Sequence, residues 1–387
     1  MNSSDGDNLK LSELSYTLIT GGIGFIGSHV VVQTLEKGRP VVILDNMSNS
    51  KIDVLYKIKQ LSNITNPDDQ RLIFVQGDIR DETLLDNLFS KYDINTVMHF
   101  AALKSVSESQ KYPDLYYDVN VIGTKTILKI MKRHNCKNFI YSSSATVYGV
   151  EPSPVVETTP TGNTLLCNYA RNKFDMEQYL IEHTKINNNS QDCQNNQENL
   201  SDWNVVILRY FNPIGAHPSG LLGEDPNDIP NNIFPYLLRV ARWCNTVDES
   251  GKKSHQESPY RYFTVFGDDY DTPDGTCIRD YVHVQDLARA HIDVHSAILD
   301  RQNSSTGLLI YNVGTGHGTS VFELINTLNS VLVKSGKNPI EYIVGARRPG
   351  DIVVSYAKVD KISHEIGFKT VNDVKQMCID GLRFIGV

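Results

Sequence analysis

The stretch Thr17–His29, TLITGGIGFIGSH, sets a cluster of glycines between a short apolar run and a helical pattern. Upstream, YTLIT is β-rich and does not alternate, as befits a strand buried on both faces. Downstream, FIGSHVVVQTLEKG carries apolar residues at helical spacing and stops at Gly38. The glycines therefore occupy a strand-to-helix turn. Gly22, Gly24 and Gly27 fit G-x-G-x-x-G, and Gly21, Gly24 and Gly27 fit G-x-x-G-x-x-G equally well. In either frame the bare backbone admits a ligand closely. The free N–H groups and positive dipole at the helix start then seat a pyrophosphate. Alone, such a motif fits a tight turn as readily as a dinucleotide site. The next apolar run, PVVILDN, ends in Asp45, 18 residues past Gly27. A carboxylate there would meet the adenosine ribose hydroxyls and repel a 2′-phosphate. No Arg follows within NMSNS, so the expected cofactor is NAD rather than NADP.

The 387 residues, 40% hydrophobic and 21% charged, suffice for a large core, expected as two domains. A net charge of −8 argues against a nucleic-acid or membrane-surface partner, because phosphate would be repelled over most of the surface. Cys136, Cys167, Cys193, Cys244, Cys277 and Cys378 show no C-x-x-C pairing and no metal-ligand spacing. They read as reduced thiols, with no metal expected and the cytoplasm as the compartment. The N-terminal MNSSDGDNLKLSELS has no apolar h-region, and no run of 18 apolar residues occurs.

Further strands are expected at RLIFVQGDI, NTVMHFAA, KNFIYSSSA and NVVILRYFN, with helical stretches between them. Such alternation predicts an α/β fold with a parallel, doubly wound sheet. The polar stretches 185–202 and 245–258 read as solvent loops.

In such a sheet ligands lie beyond the carboxyl ends of the strands, where NFIYSSSATVYG presents Ser142, Ser143, Ser144 and Thr146. NYARNKFDMEQYL, read as a helix, places Tyr169 and Lys173 on one face. Alone the pair fits an exposed helix surface; beside a dinucleotide site it gains a use. A neighbouring ammonium and a positive nicotinamide would draw the phenol from about 10 toward ~7, making it a base for a secondary alcohol.

With the glycine turn, Ser144 and Tyr169-x-x-x-Lys173 in view, the chain resembles the extended short-chain dehydrogenase/reductase superfamily. RYFNPIGAHPSGLLGEDPNDIPNN (209–232) and FGDDYDTPDGTCIRDYVHVQDLA (266–288) narrow this to a resemblance to the UDP-galactose 4-epimerase family. DNMSNS, HFAALKSVSES, SSSATVYG and RRPGD extend it from about Tyr16 to Gly381. The resemblance implies a Rossmann-type NAD-binding domain over 1–211, with a later segment near 275–300 packing back on it. A smaller mixed α/β domain for the UDP-sugar would span 212–387. It implies interconversion of UDP-galactose and UDP-glucose by reversible oxidation at C4 through a 4-keto sugar, and a homodimer.

The site residues follow from the same resemblance. Tyr169, Lys173 and Ser144 would be catalytic. Gly21, Gly24, Phe25, Ile26, Gly27, Asp45, Asn46, Asn49, Ser50, Asp78, Ile79, Phe100, Ala101, Lys104, Asn120, Ser142 and Phe211 would meet the NAD, together with Tyr169 and Lys173. Asn212, Asn232, Ile233, Phe266, Arg279, Tyr281, Arg348 and Asp351 would hold the UDP, with Arg279 and Arg348 on its diphosphate and Ser144 on the sugar's 4′-oxygen. Ser355, a small residue where the family gates the N-acetyl group, implies that UDP-GalNAc and UDP-GlcNAc are also accepted.

Three features depart from the family pattern. Asn168-Tyr169-Ala170 stands for Pro-Tyr-Gly, with Asn168 expected to cap the helix. Pro349 follows the two arginines, and LRFIGV ends short of an aromatic tail, an expected cost in stability. Sister 4,6-dehydratases place Asp-Glu after the strand's Ser-Thr; Ala145 and Thr146 stand here and cannot do that acid–base work. A UDP-glucuronate 4-epimerase is the enzymatic alternative. A non-catalytic NAD-sensing scaffold is the other, against which the presence of both Tyr169 and Lys173 speaks.

Overall fold

β1 (Tyr16–Thr20) is buried along its whole length, with Leu18 and Ile19 projecting into cores on opposite faces of one sheet. The computed structural model describes residues 14–185, 199–227, 229–246, 258–300, 307–348 and 350–387. Most of the two polar stretches, Cys193 and Pro349 lie outside them. After β1 come α1 (Phe25–Glu36), β2 (Val41–Asp45), α2 (Asp53–Leu61), β3 (Leu72–Gln76), α3 (Glu82–Lys91) and β4 (Ile94–His99). Short helices α4 (Val106–Lys111) and α5 (Pro113–Tyr117) run through a π turn, Asp118–Ile122, into α6 (Gly123–Arg133). Then follow β5 (Asn138–Ser144), α7 (Asn168–Thr184) and β6 (Asn204–Tyr210).

The remaining elements are β7 (Asn212–Ile214), α8 (Ile233–Asn245), β8 (Phe263–Phe266), β9 (Ile278–Arg279), β10 (Tyr281–His283), α9 (Val284–Asp300) and β11 (Gly307–Val313). β12 (Thr319–Ser320), α10 (Val321–Lys334), β13 (Tyr342–Gly345), β14 (Val354–Ser355), α11 (Asp360–Ile366) and α12 (Val374–Phe384) complete the chain. A capping box starts α10: Ser320 accepts from Glu323 N–H, and the Glu323 carboxylate accepts from Ser320 N–H.

Seven strands form one parallel sheet in the order β11-β6-β5-β4-β1-β2-β3. The order reverses between β1 and β4, so the crevice beyond their carboxyl ends is where a doubly wound sheet takes ligands. One face carries Val30, Val31, Leu287 and Ile292, and the other Leu85, Leu88, Ile127 and Met176. Each such buried aliphatic side chain contributes about 1.5–3 kcal/mol. A third core gathers Phe234, Leu237, Leu324, Leu328 and Met377 around α8, α10 and α12.

The division expected at 211/212 needs correction. β11 pairs with β6 along seven residues and is the seventh strand of the main sheet, beyond the returning segment expected near 275–300. α9 lies against α1, where Gln33 Nε2 donates to Gln285 O at 3.1 Å and Arg39 Nη2 donates to Ser296 Oγ at 3.1 Å. The physical reason is that the outer edge of β6 must be covered, and the chain covers it with a strand from its second half.

His29, His99, His291 and His295 are among the buried histidines, and burial strongly disfavours their charged form. His295 Nδ1 accepts from Arg39 Nη1 at 3.1 Å, and His291 Nδ1 donates to Leu287 O at 2.8 Å while its Nε2 meets the Tyr210 hydroxyl. Burial pushes His29, His99 and His295 down to about 3 and His291 to about 4, from an ordinary 6.5. Between these values and 6.5 the unfolded chain binds protons that the folded chain does not. Their share of stability is thus complete above about pH 6.5 and is lost as the pH falls. Thermal melts are expected to show a midpoint that drops steadily between about pH 6.5 and about pH 5, above the range of ordinary carboxylates. A midpoint constant across that window would contradict the neutral assignment.

Candidate functional site

The glycine turn follows β1 at the switch point. Gly21 has φ +69° and lies so close to the next loop that a Cβ would stand 2.8 Å from Ala101 N. A Cβ on Gly27 would stand 2.2 Å from Gly21 O, so the first turn of α1 can rest on the loop only without a side chain there. Gly24 is the N-cap and supplies no side-chain hydrogen bond, and no acidic residue occupies the first turn. The opening N–H groups of α1 are thus left for an external anion.

Asp45, at the end of β2, organises this turn from the other side. Its Oδ2 accepts from Ile23 N–H at 3.2 Å, and its Oδ1 accepts from Met47 N–H at 2.8 Å and Ser50 Oγ at 2.8 Å. Asn46 Nδ2 donates to Asp78 Oδ2 at 3.1 Å, and Arg80 holds the Asp78 carboxyl well below the usual carboxylate range. Asn49 stands exposed on the same loop.

Phe25 meets His29 edge-on at 5.6 Å, and Ile26 packs on the core. Phe100 lies 4.8 Å from the His291 ring. Asn120, in the π turn, donates to Leu103 O and accepts from Leu103 N–H, both at 2.9 Å, pinning the loop that carries Ala101 and Lys104. Lys104 Nζ reaches Glu224 Oε1 at 2.7 Å. Ile79 and Phe211 are buried; Phe211 packs among Val147, Tyr148 and Ala357.

At the end of β5 and the start of α7 three side chains converge. Ser144 Oγ accepts from Thr146 N–H at 3.2 Å and from Thr146 Oγ1 at 3.0 Å, which leaves its own proton to donate toward Tyr169. Lys173 Nζ donates to Ser142 O at 2.7 Å and stands 5.9 Å from the centre of the Tyr169 ring. Burial pushes the Tyr169 phenol up to about 12, opposed by Ser144, and pushes Lys173 down to about 7, opposed by Glu177. The draw toward neutrality expected above includes a positive nicotinamide; among the chain's own residues desolvation is the larger influence on the phenol. The amine is itself buried and turns to a carbonyl, so withdrawal from water outweighs charge.

A second correction concerns the helix start. Cys167 is the N-cap, accepting from Ala170 N–H through Sγ at 3.4 Å. Asn168 lies inside the helix and donates to Ser109 O at 3.0 Å.

Beneath the strand lies a network that sequence reasoning missed. Arg209 donates to Glu177 through Nε at 3.1 Å and Nη2 at 2.6 Å, with side chains 3% and 0% exposed. Ser143 Oγ donates to Glu177 Oε1 at 2.5 Å, and Arg209 Nη1 donates to the Tyr148 hydroxyl at 2.9 Å. The available signal was Glu177 four residues past Lys173 on one helix face.

Across the crevice, Arg279 and Arg348 both face Asp351, at 3.9 Å and 3.3 Å, and the Arg348 guanidinium lies over Phe266 at 4.8 Å. Ser355 on β14 is paired in register with Arg279 on β9. Asn212 opens β7 beside Tyr281 on β10, and Asn232 and Ile233 begin α8. Tyr281 does not join them at the surface: it is 1% exposed, with its ring in the third core. Arg347 is engaged elsewhere, with Asp269 at 2.7 Å. The assembly offers an open helix start, a carboxylate at the end of β2, a phenol beside a hydroxyl and a pair of guanidinium groups.

The model of the NAD dependent epimerase/dehydratase family matches residues 17–314. UDP-glucose 4-epimerase of Bacillus subtilis (strain 168) is 41% identical over 369 residues, 95% of this chain and 96% of the relative. UDP-glucose 4-epimerase 2 of Arabidopsis thaliana is 40% identical over 370 residues, 94% and 93% of the two chains. Among solved structures, UDP-glucose 4-epimerase from Bifidobacterium longum in complex with NAD+ and UDP has a TM-score of 0.80 at 40% identity, covering 96% of this chain and 98% of that one.

Proposed function

The chain belongs to the NAD dependent epimerase/dehydratase family, and from that membership and the groups converging at the end of β5 we infer that it interconverts UDP-galactose and UDP-glucose with NAD as its cofactor. The observation that carries the reading is the Tyr169–Ser144–Lys173 constellation beside an anion-ready helix start. In this reading Tyr169 takes the proton of the sugar's 4′-hydroxyl and later returns it, with Ser144 donating to whichever oxygen is negative. Lys173 in its ammonium form favours the phenolate. Arg279 and Arg348 grip the diphosphate bidentately, so the nucleotide stays while the 4-keto sugar turns its other face.

The glycine turn fits a dinucleotide. The start of α1, with no side-chain cap and no acidic residue in its first turn, and the Asp45 carboxylate at the end of β2 are what a pyrophosphate and a ribose require. When bound, NAD supplies the hydride acceptor and donor for C4 of the sugar. Protein purified without added nucleotide is expected to convert UDP-galactose to UDP-glucose with no net reduced nicotinamide. Stoichiometric accumulation of NADH, or no conversion even with added NAD, would overturn the reading.

The N-acetylated UDP-sugars are read as further substrates, because Ser355 puts only a hydroxymethyl group beside Arg279. Ser355→Tyr is expected to abolish turnover of UDP-GalNAc and to spare UDP-galactose, as followed by product chromatography. A wild type inert toward UDP-GalNAc would refute it.

The protein is further read as a cytoplasmic homodimer. Val106, Tyr112, Leu115, Tyr117 and Ile122 expose large apolar side chains along α4, α5 and the π turn, a surface suited to a second copy. Cys136, Cys167, Cys277 and Cys378 are buried and outside any disulfide, and no helix among the described residues is long and apolar enough to cross a membrane. Light scattering is expected to return twice the chain mass.

A further inference from the structure

We propose that Glu224 is a positioning residue that clasps the two walls of the crevice and couples nucleotide binding on one wall to nucleotide binding on the other, an inference that rests on the reading above. Glu224 follows the antiparallel bridge Ala216–Gly223, in the connection between β7 and α8, and its side chain is 8% exposed. One oxygen, Oε1, accepts from Lys104 Nζ at 2.7 Å and from Asn232 Nδ2 at 2.9 Å. Lys104 belongs to the Asn120-pinned loop on the cofactor wall, and Asn232 immediately precedes α8 on the nucleotide-sugar wall. A single carboxylate oxygen therefore sets the spacing between a donor expected on the NAD and a donor expected on the UDP.

Two further contacts cross the same seam: Lys51 Nζ to Asp225 Oδ2 at 2.6 Å, and Asn231 Nδ2 to Ser105 Oγ at 3.3 Å. Lys51 and Asp225 are both about half exposed, and such a pair is worth about 0–1 kcal/mol. Glu224 is withdrawn from water, so its charge acts at a lower effective dielectric and its loss leaves both donors unanchored. Either donor can turn from Glu224 to a nucleotide oxygen, and when one does, the carboxylate is left wholly to the other. Occupancy of one wall thereby stiffens the other, and by linkage the effect is reciprocal.

Wild-type, Glu224→Gln, Glu224→Asp and Asp225→Asn holoenzymes would be compared by timing the release of bound NAD after dilution, with and without saturating UDP, alongside KM and kcat for UDP-galactose. UDP is expected to slow NAD release from wild type by about tenfold. Glu224→Gln is expected to lose most of that slowing, with KM rising more than kcat falls and the thermal midpoint unchanged. Glu224→Asp is expected to recover part of it, and Asp225→Asn to keep it whole. Undiminished slowing in Glu224→Gln, or no slowing in a wild type that binds both nucleotides, overturns the proposal. A wild type that carries no NAD and converts no UDP-galactose defeats the functional reading instead.

Discussion

Tyr169→Phe is expected to cut turnover of UDP-galactose by about 10²–10⁴-fold while leaving the bound nucleotide and the fold in place. The substitution removes one oxygen from a ring that is already half-buried at the start of α7. The glycine turn and Asp45 keep every contact they have. What disappears is the phenol that Ser144 faces at the end of β5, the group proposed to move the 4′-hydroxyl proton. Ser144→Ala is expected to cost less, because it removes a donor to the phenol and leaves the phenol. Single-turnover assays with the absorbance of retained NAD would separate these effects. A Tyr169→Phe enzyme within threefold of wild type, an interval well inside that of a general acid–base loss, would remove Tyr169 from the chemistry.

The second large effect concerns stability. Glu177→Ala is expected to lower the unfolding free energy by about 3–5 kcal/mol, since it leaves the Arg209 guanidinium charged and uncompensated in the interior. The side chain of Arg209 is 3% exposed, and three hydrogen-bond donors converge on Glu177: Nε and Nη2 of Arg209 and the Ser143 hydroxyl. The Glu177→Met, Arg209→Met double substitution should recover much of the loss, because two apolar chains need no partner. Chemical denaturation of the holoenzyme series checks both. If Glu177→Ala unfolds at the wild-type denaturant concentration, the pair is not holding the strand end. Loss of activity in this variant together with its stability, against loss of activity alone in Tyr169→Phe, distinguishes the support beneath β5 from the chemistry above it.

How much of this was legible in the sequence depends on how far each interaction reaches along the chain. The glycine turn, Asp45, the Tyr169–Lys173 pair and the alternation of strands were readable because each is a short-range pattern with one dominant cause. The Arg209–Glu177 pair joins a strand to a helix 32 residues earlier, and no local period announces it. The Asn120 side chain bonds Leu103 17 residues back, and the Tyr281 ring packs in the third core, neither of which a local pattern announces. The ionisation of Tyr169 depends on more than local spacing. Spacing shows that an ammonium is near, but the balance between charge and desolvation depends on everything else packed around both groups.

The placement of β11 has a consequence for how the molecule is made. The strand that borders β6 lies at residues 307–313, and the helix that braces α1 lies at residues 284–300. A ribosome releases the chain from its N-terminus, so the first two hundred residues emerge before the sheet can have its last strand or α1 its full cover. Until then β6 presents a bare edge of backbone donors and acceptors, the kind that pairs with whatever strand is nearest. The cofactor-binding half is therefore not a self-sufficient nascent unit. Its maturation is postponed until more than three-quarters of the polypeptide has been synthesised, and a chain arrested before Gly307 would be a client for chaperones rather than a working half-enzyme.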